Sequence, residues 1–431
     1  MKNKFIKSTI ILIIGGFITK ILGMIIKIVM TRTIGTEGIG LYMLISPTFT
    51  LLISIAQLGF PVAISKLVAE DKNNNKNLVF SIIPISLLIN FIVMLILLFS
   101  GNFIAVNLLK EPRTYLAIIS IGFVLPFISI SSILRGYFFG KEKMFPHVIS
   151  NIVEDMVRLL IIILFVPLFL EKGIEFAIFF LIMSNIISEL TSILVLFLFL
   201  PKNFKLTKKD FKPNKNNIKS ILNISLPTTG SRLIGSIGYF FEPIILTNTL
   251  LHVGYNNKFI INEYGIINGY VMPLLLLPSF FTMAISQALI PVISKSYSNK
   301  KYKYAKTKLK QAIFFSLLIG IPVTICFEIF PEIPLKLLYN TSKGITYLKV
   351  LAPICLFHYI QAPLSSTLQA MGKAKEAMNG TLIGIVIRTF LLFFCSSLKI
   401  GIWGLIIATS ANIIVVTLHQ VKQIKKAFQL S

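Results

Sequence analysis

Long apolar stretches separated by short polar segments run along the whole chain. A membrane-spanning helix needs about 20 consecutive, mostly apolar residues, and Pro47, Pro126 and Pro322 within these stretches are tolerated because neighbouring helices accommodate such kinks. The pattern predicts an all-α polytopic membrane protein with about twelve transmembrane helices: residues 8–31, 39–64, 79–101, 114–136, 146–168, 174–200, 219–250, 265–293, 309–330, 345–368, 378–397 and 401–421.

Basic residues are distributed unevenly among the polar segments that join these spans. With the N-terminus in the cytoplasm, the cytoplasmic segments hold about three times as many Lys and Arg residues as the external loops, in agreement with the positive-inside rule. We therefore expect a multi-pass protein of the cytoplasmic membrane with both termini cytoplasmic.

The composition supports this class and excludes others. Hydrophobic residues make up 55% of the chain and charged residues 13%, whereas soluble domains carry roughly 25% charged residues. Most of the Lys and Arg residues behind the net charge of +26 lie in short segments between apolar runs, so we expect contact with membrane lipids and no nucleic-acid partner. The three cysteines and four histidines are scattered singly, which predicts neither a disulfide framework nor a metal site.

The sequence repeats itself. IKSTIILIIGGFITKILG (6–23) matches IKSILNISLPTTGSRLIG (218–235), and PVAISK (61–66) is followed much later by PVISK (291–295). The repeat predicts an N-terminal six-helix half at 1–201, a basic cytoplasmic linker at 202–217 and a C-terminal six-helix half at 218–431. Because each half has an even number of spans, we expect the halves to be related by a pseudo-twofold axis along the membrane normal.

Cations inside the first predicted span call for an explanation. Gly16, Lys20, Gly23 and Lys27 recur on one helical face, and the repeat places Arg232 at the position equivalent to Lys20. A central cation costs about 2.5–3.5 kcal/mol on insertion scales. Either a buried acid compensates for it, or a water-filled cavity uses it to receive an anionic substrate. Lys20, Lys27 and Arg232 are the candidate substrate-binding residues, although Lys27 could instead snorkel outward.

Acidic residues inside the spans have two possible roles. Glu154 and Arg158 lie four residues apart, which favours a local pair, and Arg388 has no acid at the repeat-equivalent position. The pair is therefore expected to be absent from the second half. Glu189 lies among Asn and Ser residues and Glu242 follows Arg232 by ten residues. Each of these acids would bind a coupling ion or form a structural pair.

Three segments carry a resemblance to a known family: GGFITKILGMIIKIVMTRTIGTEGIGLYMLISPTFTLLISIAQLGFPVAISKLVAE, SLPTTGSRLIGSIGYFFEPIILTNTL and PSFFTMAISQALIPVISKSYS. They are similar to the stage V sporulation protein B family, polysaccharide-export-type members of the MOP flippase superfamily, which is related to lipid II flippases and MATE exporters. The resemblance implies an undecaprenyl-pyrophosphate-linked sugar moved outward by alternating access, with a role in spore cortex formation. It also implies that Lys20 attracts the pyrophosphate.

The chain departs from the lipid II flippase pattern in two respects. The stretches TLLISIAQLG and VMPLLLLPSF, where that pattern has cavity arginines, are uncharged. The chain also shows twelve predicted spans, whereas many relatives have fourteen.

Three functions compete, one of them a non-transporting membrane scaffold, which would not need paired central cations. The first is a flippase for an anionic lipid-linked saccharide, and the alternative is a MATE-type, ion-coupled multidrug exporter, which would favour acids in its cavity. No P-loop, nucleophile elbow or dinucleotide-binding glycine signature is present in the sequence, so we expect no enzyme activity and no cofactor. Transport would then be coupled to Na⁺, H⁺ or the membrane potential, and we expect the protein to be a monomer.

Overall fold

The computed structural model describes residues 2–70, 75–201, 210–211 and 215–429, and every regular element within those ranges is helical. In the N-terminal part the α-helices are α1 Lys2–Gln57, α2 Phe60–Glu70, α3 Asn75–Phe80, α4 Ile83–Phe103, α5 Tyr115–Gly140, α6 Met144–Leu170 and α7 Ile174–Leu198. They continue as α8 Lys215–Val253, α9 Asn257–Gly265, α10 Met272–Leu275, α11 Ser279–Ser298, α12 Tyr302–Ile329, α13 Glu332–Tyr339, α14 Ile345–Ala370, α15 Ala374–Ser396 and α16 Trp403–Gln429.

The helical segment Ile14–Glu70 contains the first two predicted spans. As one straight helix, its 57 residues would extend over about 85 Å, nearly three times the thickness of a bilayer core. The helix is interrupted at Gly35, whose backbone angles are φ 67° and ψ −172°. A positive φ of this kind is readily adopted by glycine, which has no Cβ, so Gly35 separates two spans close to the predicted boundary.

The other predicted spans also have helical counterparts. In the described ranges, nine helices are long and apolar enough to cross a membrane, with Ile14–Glu70 counted as one helix. There is a tenth if the pair Asn257–Leu275 and Ser279–Ser298 forms one span bent by 50°. The bend lies at Pro278, where a proline cannot continue a regular helix. Helix α6 is not among them because Glu154, Asp155 and Arg158 lie near its middle. With Ile14–Glu70 divided at Gly35, and with the bent pair and α6 included, the predicted twelve spans are recovered and the fold class is confirmed.

Large apolar side chains on the outer faces of these helices lack protein neighbours. Phe99 on α4 is 87% exposed and Leu198 at the end of α7 is 83% exposed. Exposed apolar surface on this scale is rare on soluble monomers, and hydrocarbon chains of a bilayer would cover it. The exposure pattern therefore agrees with a membrane bundle.

The described residues form two compact units, Met1–Phe240 (unit 1) and Phe241–Ser431 (unit 2). A buried apolar cluster in unit 1 brings together α2, α3 and α5 through residues such as Phe60, Phe80 and Phe138. In unit 2, a second cluster joins α11, α12, α14 and α16.

Helix α8 begins in unit 1 and ends in unit 2. Its first part packs against the end of α1, where the hydroxyls of Ser54 and Ser236 are 3.0 Å apart. The contact boundary therefore falls within α8, beyond the predicted linker at 202–217. Most of that linker lies outside the described residues, and the proposed domain limits remain a prediction.

Candidate functional site

The stripe of small and basic residues on α1 is open. The side chain of Lys20 is exposed and that of Lys27 is half-buried. A Cβ atom built on Gly16 or Gly23 would meet nothing within 4 Å. These glycines therefore do not serve close helix packing, and Lys20 lies on an exposed face of α1.

The repeat-equivalent stripe on α8 is open in the same way. Arg232 is exposed, and a Cβ on Gly230 or Gly235 would also meet nothing within 4 Å. Arg232 belongs to unit 1 by its contacts, although the repeat assigns it to the second half of the sequence. Both halves of the repeat thus present an exposed cation beside an open glycine.

A buried charge network in unit 1 holds most of the acids predicted from the sequence. The carboxylate of Glu154 on α6 accepts hydrogen bonds from two arginines, at 2.5 Å from Arg135 Nη2 and 2.6 Å from Arg158 Nη2. Arg135 also donates to Ser192 Oγ at 2.8 Å and Arg158 to Ser188 Oγ at 3.3 Å, both on α7. The expected local pair is therefore present as part of a network that joins α5, α6 and α7.

Glu189 is held less closely by the arginines than Glu154 is, and its carboxylate also accepts a hydrogen bond from Ser131. It is 5% exposed, and its Oε2 atom lies 3.7 Å from Arg135 Nη2, too far for a hydrogen bond. No described residue donates a hydrogen bond to this oxygen. With Asp155 at 3.6 Å from Arg158, three carboxylates share two guanidinium groups, which leaves one excess negative charge when all are ionised.

Unit 2 has a corresponding buried pair that sequence reasoning did not predict. Arg388 on α15 forms an ion pair with Glu242 on α8, so the second half does contain a pair, made by an acid from a different helix. Tyr264 donates to Glu242 Oε1 at 3.0 Å, and Arg388 is 3.5 Å from Thr409 Oγ1 on α16. The cluster thus connects four elements of unit 2: α8, α9, α15 and α16.

Arg135 is the network residue that the sequence analysis missed. It lies at the end of the fourth predicted span, beside the basic segment that follows. Its signal was the sequence ILRGYFFG, in which the arginine has apolar residues on both sides. An arginine with apolar neighbours on both sides requires either water or a partner, and in the structure its partner is Glu154.

The described residues contain no group of three or more His, Cys, Asp or Glu side chains that could hold a metal ion. Cys326, Cys355 and Cys395 are free thiols. The chemistry of the site is therefore carried by exposed cations and by buried carboxylate–guanidinium pairs.

Comparison with known proteins agrees with this architecture. The family model described as "Polysaccharide biosynthesis protein" matches residues 5–297, and the model described as "MatE" matches residues 268–394. The chain is 37% identical to Stage V sporulation protein B of Bacillus subtilis (strain 168), over 100% of this chain and 85% of that protein. It is 24% identical to Lipid II flippase MurJ of the same organism, over 91% of this chain and 77% of that protein.

Solved structures show the same fold. The inward-facing conformation of a multidrug resistance MATE family transporter of the MOP superfamily aligns with a TM-score of 0.80, at 16% identity and over 95% of both chains. Together with the family matches and the transmembrane helices, this identifies a membrane transporter and not an enzyme. The chain belongs to the polysaccharide biosynthesis protein family.

Proposed function

We propose that this protein is a flippase that moves an anionic lipid-linked saccharide across the cytoplasmic membrane by alternating access, with both termini in the cytoplasm. One relative, named a lipid II flippase, supports the substrate class, and another is named a sporulation protein. A precursor of peptidoglycan or of another polysaccharide, carried on a lipid phosphate, has the required charge. The sporulation relative supports a role in spore cortex formation.

One observation carries this proposal: the acids near the middle of the spans are held by arginines, whereas the repeat-related cations are exposed. Glu154 and Glu242 each form an ion pair with arginine, while Lys20 and Arg232 lie on open helix faces. Exposed cations favour an anionic cargo. A cationic drug would instead require accessible carboxylates, so the charge distribution favours the flippase over the multidrug exporter.

Lys20 and Arg232 would bind the phosphates of the cargo headgroup. A diphosphate has acceptor oxygens for both residues at once. Lysine provides a compact point charge, while arginine provides a planar fork that can bind two oxygens together. Lys27, farther along the same face of α1, would guide the headgroup as it moves.

Glu189 would couple transport to an ion. Its buried carboxylate completes a network of three acids and two arginines, and one bound Na⁺ or H⁺ would bring the charge of that network to zero. Glu242 has a full set of partners in Arg388 and Tyr264. We therefore assign Glu242 and Glu154, with Arg158, to structural pairing and Glu189 to coupling.

A reconstituted assay that compares two substrate classes tests this function. Proteoliposomes containing the purified protein would be offered a lipid-linked saccharide diphosphate or a cationic dye. We expect translocation of the anionic lipid and no gradient-driven accumulation of the dye. Accumulation of the dye without movement of the lipid would establish the multidrug exporter instead.

A further inference from the structure

A cavity of about 400 Å³ lies at one end of unit 2, where three connecting segments meet. The first contributes Asn262 and Glu263 from α9. The second contributes Lys343, just before α14, and Tyr347 in its first turn, and the third contributes Trp403 from the start of α16. The segments follow the seventh, ninth and eleventh spans, so all three lie on the same side of the membrane. In the proposed orientation that side is external. The volume falls in the range of small-molecule sites, about 300–1,000 Å³.

Two aromatic side chains in the cavity are held in fixed positions. Tyr347 Oη donates to Glu263 Oε2 at 2.5 Å. The rings of Tyr347 and Trp403 are 5.3 Å apart at an angle of 72°, an edge-to-face arrangement that aromatic pairs prefer. The hydrogen bond and the ring contact give the cavity a rigid apolar wall.

A buried acceptor in the cavity has no partner. Asn262 Oδ1 is buried, and no described residue donates a hydrogen bond to it. An unsatisfied buried acceptor costs about 1–3 kcal/mol, and rotation of the Asn262 side chain into the cavity would let the hydroxyl of a ligand donate a hydrogen bond to it.

In the topologically equivalent region of unit 1, an arginine forms ion pairs with two acids. Arg113, which precedes the fourth span as Lys343 precedes the tenth, donates to Glu111 at 2.7 Å and to Glu37 at 2.6 Å. Glu37 lies between the first two spans as Glu263 lies between the seventh and eighth. In unit 2, Glu263 is instead bound by a tyrosine, and a cavity is left beside it. The repeat thus has a salt bridge in one half and an open polar cavity in the other.

We propose that this cavity is a saccharide-binding site for a neutral or N-acetylated pyranose. A pyranose has an apolar C–H face that packs on an aromatic ring, and hydroxyls that both donate and accept hydrogen bonds. Trp403 and Tyr347 provide the apolar wall, and Asn262 and Glu263 accept hydrogen bonds from hydroxyl groups. Glu263 and Lys343 have opposite charges, so the site as a whole favours a neutral ligand. The proposal that a saccharide binds here depends on the cavity alone. The proposal that this saccharide is the sugar of a flipped lipid-linked cargo rests on the proposed function.

The only tryptophan of the chain reports directly on this cavity. The protein would be placed in lipid nanodiscs, free of sugar-based detergents, and titrated with N-acetylglucosamine and its β-1,4-linked disaccharide while tryptophan fluorescence is recorded. Glycerol, alanine and tetramethylammonium serve as ligands without a pyranose face. We expect a saturable fluorescence change with the two saccharides only, and protection of Trp403 from acrylamide quenching.

Two substitutions and one control locate the binding. Asn262→Leu and Glu263→Gln should each weaken saccharide binding about tenfold, because each removes or weakens a hydrogen bond in a confined site. Lys303→Ala, in the basic segment 295–308 and outside this cavity, should bind as the unchanged protein does.

Absence of any saccharide response in the unchanged protein would overturn the proposal, as would an equal response to alanine or tetramethylammonium. Quenching of Trp403 by brominated lipid without a saccharide response would show that it is only a membrane-interface anchor. The flipping assay distinguishes this inference from the proposed function. Flipping without saccharide binding would disprove only the external saccharide site. Saccharide binding without flipping would disprove only the proposed transport function.

Discussion

At the scale of single residues, charge balance separates the buried acids into two groups. Glu154 and Glu242 each have an arginine within hydrogen-bonding distance, whereas Glu189 approaches Arg135 only to 3.7 Å. Burial of a carboxylate without a close counter-charge is costly, so we propose that Glu189 exchanges a proton or a cation during transport.

Replacing Glu189 by Gln should abolish gradient-driven transport and leave substrate binding measurable, because the amide keeps the shape of the side chain but cannot carry the exchanged charge. Transport in proteoliposomes with and without an imposed Na⁺ or H⁺ gradient is the measurement. Glu154→Gln is the control and should lower thermal stability, since Arg135 and Arg158 would lose their shared carboxylate. Unchanged gradient dependence in a well-folded Glu189→Gln protein would assign Glu189 a structural role.

The sequence could predict the residue pairs that the helical period determines, but not those that bundle packing determines. Glu154 and Arg158 are four residues apart on one helix, and α-helical geometry alone brings them together. Glu242 and Arg388 are brought together by the packing of α8 and α15, which periodicity does not encode. For the same reason, the cavity built from three separate segments around Trp403 left no pattern in the sequence.

At the scale of elements, the Glu242–Arg388 pair fixes α8 to α15. Removal of one partner from a buried ion pair costs about 3–5 kcal/mol, because the other charge remains buried. Arg388→Gln should therefore lower the melting temperature of the detergent-solubilised protein strongly, and adding Glu242→Gln should restore part of it. The exposed pair Lys336–Glu332, with N–O distance 2.8 Å, supplies the control: Lys336→Gln should have little effect. If Arg388→Gln melted like Lys336→Gln, the pair would not stabilise the fold.

Gly59 allows the end of the second span to approach α8 closely. Its φ is +62°, and a Cβ atom there would lie 2.3 Å from Thr228 Oγ1 and 2.8 Å from the carbonyl oxygen of Ser225. Gly59→Ala should therefore destabilise the protein by more than about 1 kcal/mol, through backbone strain and the clash together.

The matched control for this substitution is Gly230→Ala on α8. That position is helical, and a Cβ there meets nothing within 4 Å, so alanine should be neutral or stabilising by up to about 1 kcal/mol. The melting temperatures of the Gly59→Ala and Gly230→Ala variants test this prediction. Equal melting temperatures would show that the approach of α8 at Gly59 contributes nothing to stability.

At the scale of the whole molecule, the apolar pattern predicted the spans well because burial in hydrocarbon requires long apolar helices whatever their packing. It placed the break between the first two spans within a few residues of Gly35. The three charged residues near the middle of α6, Glu154, Asp155 and Arg158, are compatible with a membrane helix because they form ion pairs with one another and with Arg135. Orientation depends on the loops instead, and it remains a prediction from the distribution of Lys and Arg residues.

Thiol labelling of intact cells tests that orientation. In a variant without native cysteines, a cysteine in 202–217 or 295–308 should be shielded from an impermeant reagent added outside, because those segments are predicted to be cytoplasmic. A cysteine in 253–262 should be labelled. The opposite pattern would invert the assigned topology and place the Trp403 cavity on the cytoplasmic side.

The central claim is that Lys20 and Arg232 bind the phosphates of an anionic lipid-linked cargo. Among single substitutions at position 20, Lys20→Arg should keep much of the flipping activity, since the positive charge remains. Lys20→Glu should be worse than Lys20→Ala, because a carboxylate repels the cargo. The rate of flipping in proteoliposomes orders the three variants, and equal rates would contradict electrostatic binding at Lys20.

The most direct test is the flipping rate of the double variant Lys20→Ala, Arg232→Ala. The control is the double variant Lys303→Ala, Lys308→Ala, which removes the same charge from a segment outside the predicted spans. We predict that the first variant folds normally and flips the lipid-linked saccharide at least about tenfold more slowly, because two charge-assisted contacts with phosphate are lost. The second variant should retain its activity. Full flipping activity in a well-folded Lys20→Ala, Arg232→Ala protein would contradict the account.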